Sequence, residues 1–364
     1  MKAVLVLEDG SRFEGDSFGS PREAAGKVVP YTSMAGYQEA LTDPSNRGLL
    51  LCMTYPLIGN CGVNREDAES SRGQPGGLIV RDLCREPLHW RGEKNLHRFL
   101  QEEEIAGIKN VDTRALSRHI YRNGAMYGAI VAGDRPSLPP QSLIDKTAPE
   151  RIRDVRESPG EDDFFDNLEK ISGNPAGSKV AVLDLGVRRS LLRAIKRRCN
   201  RVSLFSPATV KNISPSDHEG LIIAGGGWSP LEVAELLQED LDKILGKLPV
   251  LGISLGMQVL ARLLGGELKE MPAGHRGDNY PVRKTGTDSV LITSQNHGWL
   301  VEEEALDARA KITYRQLHDH SVEGISYPEK GIEGIQFWPE ISFTDNFFNV
   351  PEVEKFIQAP GRRG

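Results

Sequence analysis

The stretch from Leu248 to Gln258, LPVLGISLGMQ, carries the pattern Gly-x-Ser-x-Gly between an apolar run and an amphipathic one. This pattern is typical of a sharp strand-to-helix turn that presents a nucleophilic serine to a substrate. The first N–H groups of the helix then lie beside the serine, where they can stabilise an oxyanion. The stretch therefore predicts a strand, a tight turn at Ser254 and a helix, and it raises the question of whether Ser254 is a nucleophile.

The residues around this turn predict the architecture of the C-terminal half. From residue 179 onward, apolar strands alternate with amphipathic helices, in the order KVAVLDLG, VRRSLLRAIKRRC, RVSLFS, GLIIAGGG, PLEVAELLQEDLDKIL and PVLGIS. Strands that are apolar throughout and separated by helices indicate a mostly parallel sheet covered by helices on both faces. Ligands of such sheets bind beyond the carboxyl ends of the strands, where AGGG and GISLG both fall.

The N-terminal half has a different pattern. KAVLVLEDGSRFEG predicts a hairpin, GLIVRD a further strand, and DTRALSRHIYRNG a helix closed by glycine. Residues 134–178 are rich in proline and charge and predict a linker. We therefore predict an α/β protein with a mixed α/β domain at 1–133, a linker at 134–178 and a second domain at 179–358.

Length and composition narrow the class of protein. The chain of 364 residues is long enough for two domains, and 38% hydrophobic and 26% charged residues are typical of globular proteins. A net charge of -6 without a basic stripe argues against nucleic acid as a partner. No run approaches the roughly 18 apolar residues of a membrane span. Four cysteines without a CxxC pair and a polar N-terminus predict a cytoplasmic protein with reduced thiols.

One interpretation of the turn is a serine hydrolase. The glycine run Gly225 to Gly227 would supply a second oxyanion donor, as glycine-rich loops do in lipases. Acids and histidines follow Ser254 in the order of that class, and the candidates are Asp278, Asp288, His318 and His320. This interpretation leaves the N-terminal domain without a role.

A second interpretation joins the two halves. YTSMAGYQEALTDPSNRG, TYPLIGNCGVNREDAESS and VDTRALSRHIYRNGAMYGAIVAG closely resemble the N-terminal domain of the small, glutamine-hydrolysing subunit of carbamoyl-phosphate synthetase. PVLGISLGMQVLARLLGG, GHRGDNYPV and SQNHGW are similar to the class I amidotransferase domain of that subunit. The resemblance extends from Met1 to about Glu340. It implies an amidotransferase fold for the C-terminal domain.

The resemblance also implies a chemistry. In this family a cysteine thiolate at the strand-to-helix turn, which we call the elbow, attacks the amide of glutamine. A histidine transfers the proton, and a glutamate two residues after the histidine orients it. The released ammonia passes to a large subunit that makes carbamoyl phosphate from bicarbonate and ATP. The small chain needs no cofactor or metal of its own, and ATP and metal are expected on the large subunit.

This sequence departs from the family pattern at the catalytic positions. The cysteine position falls on Ser254, the histidine position on Trp338 and the glutamate position on Glu340. An indole N–H only donates a hydrogen bond and cannot act as a base. The family's glycine-rich loop has the pattern Asn-Gly-Pro-Gly-Asp-Pro, which falls on residues 225–230 here. Its second glycine has become Trp228, whose ring we expect to intrude on the glutamine site, and the histidine after the elbow has become Met257.

Much of the expected glutamine-binding shell remains by position. Its members are Ser33, Gly226, Leu255, Gln258, Asn296, Gly298 and Trp299, with Trp228 as the altered member. These residues could bind glutamine or could persist because they shape the fold, and the sequence leaves both open.

We therefore expect a small-subunit homologue whose glutamine hydrolysis is lost or impaired. It would pair with a large subunit, either to support ammonia-dependent synthesis or to regulate it, and ammonia-dependent members of the family resemble it in having serine at the elbow. A non-catalytic binding paralogue and a serine hydrolase using Ser254 are the alternatives. The choice between arginine and pyrimidine biosynthesis stays open.

Overall fold

The computed structural model describes residues 1–133, 171–341, 346–347 and 350–358. These residues form two compact units. The first contains residues 1–133 together with Met271–Gly277, and the second contains the other described residues. Most of the predicted linker, residues 134–170, lies outside the described residues, so its extent stays a prediction.

The first unit is built on a closed seven-stranded barrel in the order β1-β2-β8-β6-β4-β3-β9. A separate pair of short parallel strands, β5 and β7, lies outside the barrel. The strands are β1 (Lys2–Leu7), β2 (Arg12–Gly19), β3 (Ala24–Tyr31), β4 (Leu50–Met53), β5 (Leu57–Ile58), β6 (Gly77–Ile79), β7 (Asp82–Leu83), β8 (Ala106–Lys109) and β9 (Tyr127–Ala132).

Local sequence accounts for several elements of this unit. The predicted hairpin is confirmed, because β1 and β2 pair antiparallel across a turn in which Gly10 has φ 86°. In the described range 1–133, the helices α1 (Tyr37–Thr42), α2 (Leu96–Glu102) and α3 (Thr113–Asn123) pack on the barrel. Helix α3 is capped at its start by Asp112, whose carboxylate accepts from the N–H of Ala115, and is closed by Gly124 as predicted.

A short segment from the C-terminal half completes the first unit. The backbone N–H and the hydroxyl of Thr32 both donate to the carbonyl oxygen of Arg276, at 3.0 and 2.9 Å. Ala273 lies in the same apolar cluster as Leu5 and Leu7 of β1. The sequence pattern did not indicate this contribution, because it depends on pairing between residues more than 240 positions apart.

The second unit contains a nine-stranded sheet in the order β11-β10-β12-β13-β18-β17-β16-β14-β15. Its strands are β10 (Lys179–Leu185), β11 (Arg201–Phe205), β12 (Gly220–Gly225), β13 (Val250–Ser254), β14 (Leu268–Lys284), β15 (Val290–Val301), β16 (Lys311–Gln316), β17 (Val322–Tyr327) and β18 (Ile332–Ile335). Two short strands follow, β19 (Glu340–Ile341) and β20 (Asn346–Phe347). The parallel part, from β11 to β18, is the predicted helix-covered sheet. The antiparallel extension was not predicted.

Helices of the described residues cover this sheet on two faces. Helices α4 (Arg189–Arg198) and α7 (Pro351–Gln358) bury apolar side chains against one face, which we call the α4 face. Helices α5 (Pro230–Asp242) and α6 (Leu255–Leu263) do so on the other, the α5 face. None of the helices in the described ranges has both the length and the apolar composition that crossing a membrane requires.

Two glycines allow α6 to start directly against the sheet. A Cβ atom on Gly256 would lie 1.8 Å from the carbonyl oxygen of Ile223, and one on Gly252 would lie 2.7 Å from the backbone nitrogen of Met257. Real Cβ atoms essentially never approach backbone so closely. The two glycines of the Gly-x-Ser-x-Gly pattern are therefore required by packing, whatever Ser254 does.

We expect Gly256→Ala to lower the free energy of unfolding by about 3 kcal/mol, because the added methyl group separates α6 from β12. Gly265→Ala is the matched control: it faces open space at φ 90° and should cost only about 1 kcal/mol for its backbone conformation. Urea unfolding of both variants measures the two costs. Equal losses would contradict the packing argument.

An ionic contact fastens α7 to the sheet. Lys284 Nζ donates to Glu352 at 2.6 Å, and the Tyr314 hydroxyl donates to the same carboxylate at 2.5 Å. Burial alone would raise the pKa of Glu352, but these two hydrogen bonds outweigh it and hold the pKa below 4.5. The carboxylate therefore stabilises the folded state above about pH 4.5, and this stabilisation is lost as the pH falls through the lowered pKa.

We expect Glu352→Gln to lower the free energy of unfolding by about 1–2 kcal/mol at pH 7. The difference from the unsubstituted chain should shrink as the pH falls below 4.5, because the carboxylate then becomes protonated. Denaturant unfolding at pH 7 and pH 4 measures it. A difference that stays constant over this range would contradict the assignment.

Candidate functional site

The strand register brings the predicted catalytic segments to one edge of the sheet. Gly225 at the end of β12 pairs with Ser254 at the end of β13, and Ile253 pairs with Ile335 at the end of β18. These strands are parallel, so the glycine loop, the elbow and the segment leading to Trp338 all follow carboxyl ends of neighbouring strands. The sheet places a candidate site where parallel sheets usually have theirs.

The elbow itself is formed at Ser254. Its backbone has φ 54° and ψ -112°, a strained conformation for a residue with a side chain, and the residue is buried. The Ser254 hydroxyl has no hydrogen-bond partner among the described residues. The geometry of a nucleophile is therefore present, and no base contacts it within the part of the chain that the structure describes.

The acids and histidines of the hydrolase interpretation do not assemble around Ser254. His318 and His320 are exposed in the turn after β16, where the N–H of His318 bonds to the side chain of Gln316. Asp278 accepts from the hydroxyl of Ser294 at 2.7 Å, and Asp288 is exposed in another turn. The described part of the second unit thus shows no Ser-acid-His arrangement at the elbow.

Trp338 is a core residue on the α4 face. Its side chain is fully buried in the cluster that includes Phe337 and Val353, and its backbone N–H donates to the carbonyl oxygen of Ser294 at 3.0 Å. The guanidinium carbon of Arg188 lies 5.3 Å from the centre of the indole ring. The indole Nε1 has no acceptor within the described ranges. The ring therefore fills space and contacts a cation, and it offers no basic atom.

Glu340, the third predicted catalytic position, is described only through its backbone, which pairs with Phe347 in β19 and β20. Its side chain lies outside the described residues. The role predicted for Glu340 stays a prediction.

The glycine loop after β12 closes against a neighbouring strand. Gly225 has φ 150°, and a Cβ atom there would lie 2.2 Å from the carbonyl oxygen of Leu185. The N–H of Gly226 donates to the same carbonyl at 3.1 Å. Because this N–H already donates to an acceptor, it is not available to donate to an oxyanion. Trp228 is partly buried and packs against the apolar cluster of the α5 face.

The first turn of α6 is held by a buried polar side chain. Gln258 Nε2 donates to the carbonyl oxygen of Trp299 and to Gln336 Oε1, both at 3.0 Å. Leu255 and Met257 are buried in the cluster of the α5 face. These contacts favour the fold-shaping role of Gln258 over a ligand-binding role.

A buried network that the sequence did not reveal lies along β15 beside this turn. His297 Nδ1 is 2.8 Å from the carbonyl oxygen of Trp299, and its Nε2 is 3.0 Å from Gln295 Oε1. Gln295 Nε2 donates to Glu323 at 3.0 Å. The polar residues of SQNHGW were the signal from which this network could have been predicted. Its remaining member, Glu323, comes from β17, and no motif around Glu323 indicated its part in the network. Asn296 is buried in the same strand and Gly298 is partly buried.

Ser33, the remaining shell residue, belongs to the first unit and is buried after the end of β3. All other predicted shell residues belong to the second unit. Their role in binding glutamine stays a prediction.

Comparison with known proteins finds a family match for each half of the chain. Residues 5–130 match the family described as carbamoyl-phosphate synthase small chain, CPSase domain, and residues 181–351 match glutamine amidotransferase class-I. The carbamoyl phosphate synthase small chain of Syntrophotalea carbinolica is 39% identical over 356 residues, which cover 94% of this chain and 93% of the relative. The small chain of Clostridium perfringens is 39% identical over 347 residues, which cover 93% and 94%.

A solved structure also matches part of the chain. It is a glutamine amidotransferase of Thermotoga maritima, 23% identical, with a TM-score of 0.34 over 45% of this chain and 76% of that one. The two family matches and the identity to curated relatives along almost the whole chain agree with the fold described above. This chain belongs to the carbamoyl phosphate synthase small-chain family.

Proposed function

We propose that this small-chain homologue does not hydrolyse glutamine and that it serves a large chain which makes carbamoyl phosphate from ammonia. One observation carries the proposal: among the described residues no base contacts Ser254 at the elbow, and the position expected for the base holds Trp338, buried in the core. A serine hydroxyl without a base is a far weaker nucleophile than a thiolate paired with imidazole.

The magnitude of the expected loss is large. Removing one member of a nucleophile and base pair costs about as much as removing the whole set, about 10⁶-fold in rate. Here both members differ from the family pattern. The hydrogen bond from the Gly226 N–H to Leu185 also supports a loss, because it occupies one donor expected to hold the oxyanion.

The partner follows from the family. Relatives named as small chains imply a large chain, and we infer that this chain binds one in the cytoplasm. ATP, bicarbonate and metal would be bound there. The small chain would then act through binding, as a stabiliser or regulator of ammonia-dependent synthesis.

The first test is glutamate release. The purified chain is mixed with the large chain encoded by the same organism, ATP, Mg²⁺ and bicarbonate, and with either glutamine or ammonium as nitrogen donor. We expect carbamoyl phosphate with ammonium and glutamate release with glutamine at the background level, about 10⁶-fold below a competent pair of nucleophile and base.

Ser254→Ala is the control for this test, and it should leave both results unchanged. Glutamate release that disappears in Ser254→Ala would overturn the proposal and make Ser254 a working nucleophile. If the large chain alone makes as much carbamoyl phosphate from ammonium, the ammonia-dependent role is wrong and a regulatory role replaces it.

The second test asks whether Trp338 belongs to the core or to an open site. We expect Trp338→Ala to lower the free energy of unfolding by about 3–5 kcal/mol, because it leaves a large cavity on the α4 face. Trp338→Phe keeps a ring and should cost less. Denaturant unfolding measures both. A loss below about 1 kcal/mol for Trp338→Ala would mean that the indole only lines a solvent-filled site.

A further inference from the structure

The first unit exposes two large apolar side chains on one loop. Leu88 is 95% exposed and Trp90 is 87% exposed, in the segment of residues 85–92 that we call the Trp90 loop. Charged residues, Arg85, Glu86 and Glu93, are exposed around them. Large apolar side chains so fully exposed, with charges at the rim, are typical of protein interaction sites.

The indole of Trp90 contacts the side chains of its two sequence neighbours. The rings of His89 and Trp90 lie 5.8 Å apart between centroids, and the guanidinium carbon of Arg91 lies 5.9 Å from the centre of the indole. Arg91 Nη2 donates to Asp67 at 2.6 Å and to Glu66 at 3.1 Å. The cation that contacts the indole is thus fixed by two carboxylates from another segment.

This contact continues into the interior of the unit. Asn64 Nδ2 donates to Asp67 at 2.7 Å, and the N–H of Asn64 donates to Gln38 Oε1 at 3.0 Å. Gln38 is buried in α1. Gln38 lies in the motif YTSMAGYQE, which also contains Ser33, and Asn64 lies in NREDAESS. Neither Gln38 nor Asn64 is a member of the expected glutamine-binding shell. Together they form a hydrogen-bonded path from a buried helix to the exposed loop.

The backbone of the Trp90 loop is fixed as well. The N–H of Gly92 donates to the carbonyl oxygen of His89 at 3.0 Å, and a Cβ atom on Gly92 would lie 2.9 Å from the carbonyl oxygen of Cys61. A loop that is ordered before binding does not lose that conformational freedom when a partner arrives. The unit therefore presents Leu88 and Trp90 in a defined orientation.

We propose that Leu88 and Trp90 are anchor residues by which this chain docks onto the large chain of carbamoyl phosphate synthase. The proposal rests on the proposed function for the existence of that partner. The barrel strands each pair on both sides, so the barrel has no free edge to which a partner's strand could add, and we assign the contact to exposed side chains.

The family match favours the large chain over a second copy of this chain. The relatives are named as small chains, and that name implies a large chain as the partner. Two apolar side chains that project from a loop can insert into a recess on that partner. Tryptophan in such a recess is among the most frequent dominant contacts of interfaces.

The test measures the dissociation constant between the purified chain and the purified large chain by calorimetry. We expect Trp90→Ala to raise the dissociation constant at least about 30-fold, and Leu88→Ala to raise it less. Tyr121→Ala is the matched control, an aromatic residue 51% exposed on α3 of the same unit, and should leave the constant unchanged. Thermal unfolding should be the same for all three variants, because these side chains are exposed.

The outcomes separate this proposal from the proposed function. If the unsubstituted chain does not bind the large chain, the proposed function fails and this proposal fails with it. If the unsubstituted chain binds and Trp90→Ala binds equally well, only the docking site is wrong. If Trp90→Ala abolishes self-association in sedimentation without changing binding to the large chain, the loop joins copies of this chain and the proposal is overturned.

Discussion

The contact of Gly256 with the carbonyl oxygen of Ile223 sets the geometry of the second unit. It brings the first turn of α6 against β12, so the chain must turn from β13 into α6 at Ser254, the last residue of the strand. Ser254 must therefore adopt φ 54°, which costs a residue with a side chain of the order of 1–3 kcal/mol. The packing of α5 and α6 on one face of the sheet offsets that cost.

This constraint separates fold from chemistry at the elbow. The glycines and the strained serine are needed to join strand and helix, so they persist whether or not a nucleophile is used. The position of the family's base, Trp338 here, is not needed to join strand and helix. It tolerates a tryptophan because the residues around it, among them Phe337 and Val353 of α7, form an apolar cluster that accommodates an indole. A Gly-x-Ser-x-Gly pattern alone therefore indicates a sharp strand-to-helix turn and does not identify a nucleophile.

The sequence predicted the features that depend on nearby residues. The strand β13, the turn and helix α6 follow from an apolar run, two glycines and a periodic run, and the hairpin β1-β2 follows likewise. The features it did not predict depend on distant partners. Gln258 bonds to residues 41 and 78 positions away, and the burial of Trp338 depends on α4 and α7. Barrel closure is non-local in the same way.

The segment Met271–Gly277 has a consequence for how the protein is made. Its residues complete the first unit through Thr32 and the cluster around Leu5, yet they are synthesised almost 140 positions after β9 ends. Domains often fold in order as they leave the ribosome. Here the first unit must wait, partly built, until most of the second has been translated, and a gene truncated after Gly133 would encode a barrel that lacks part of its core.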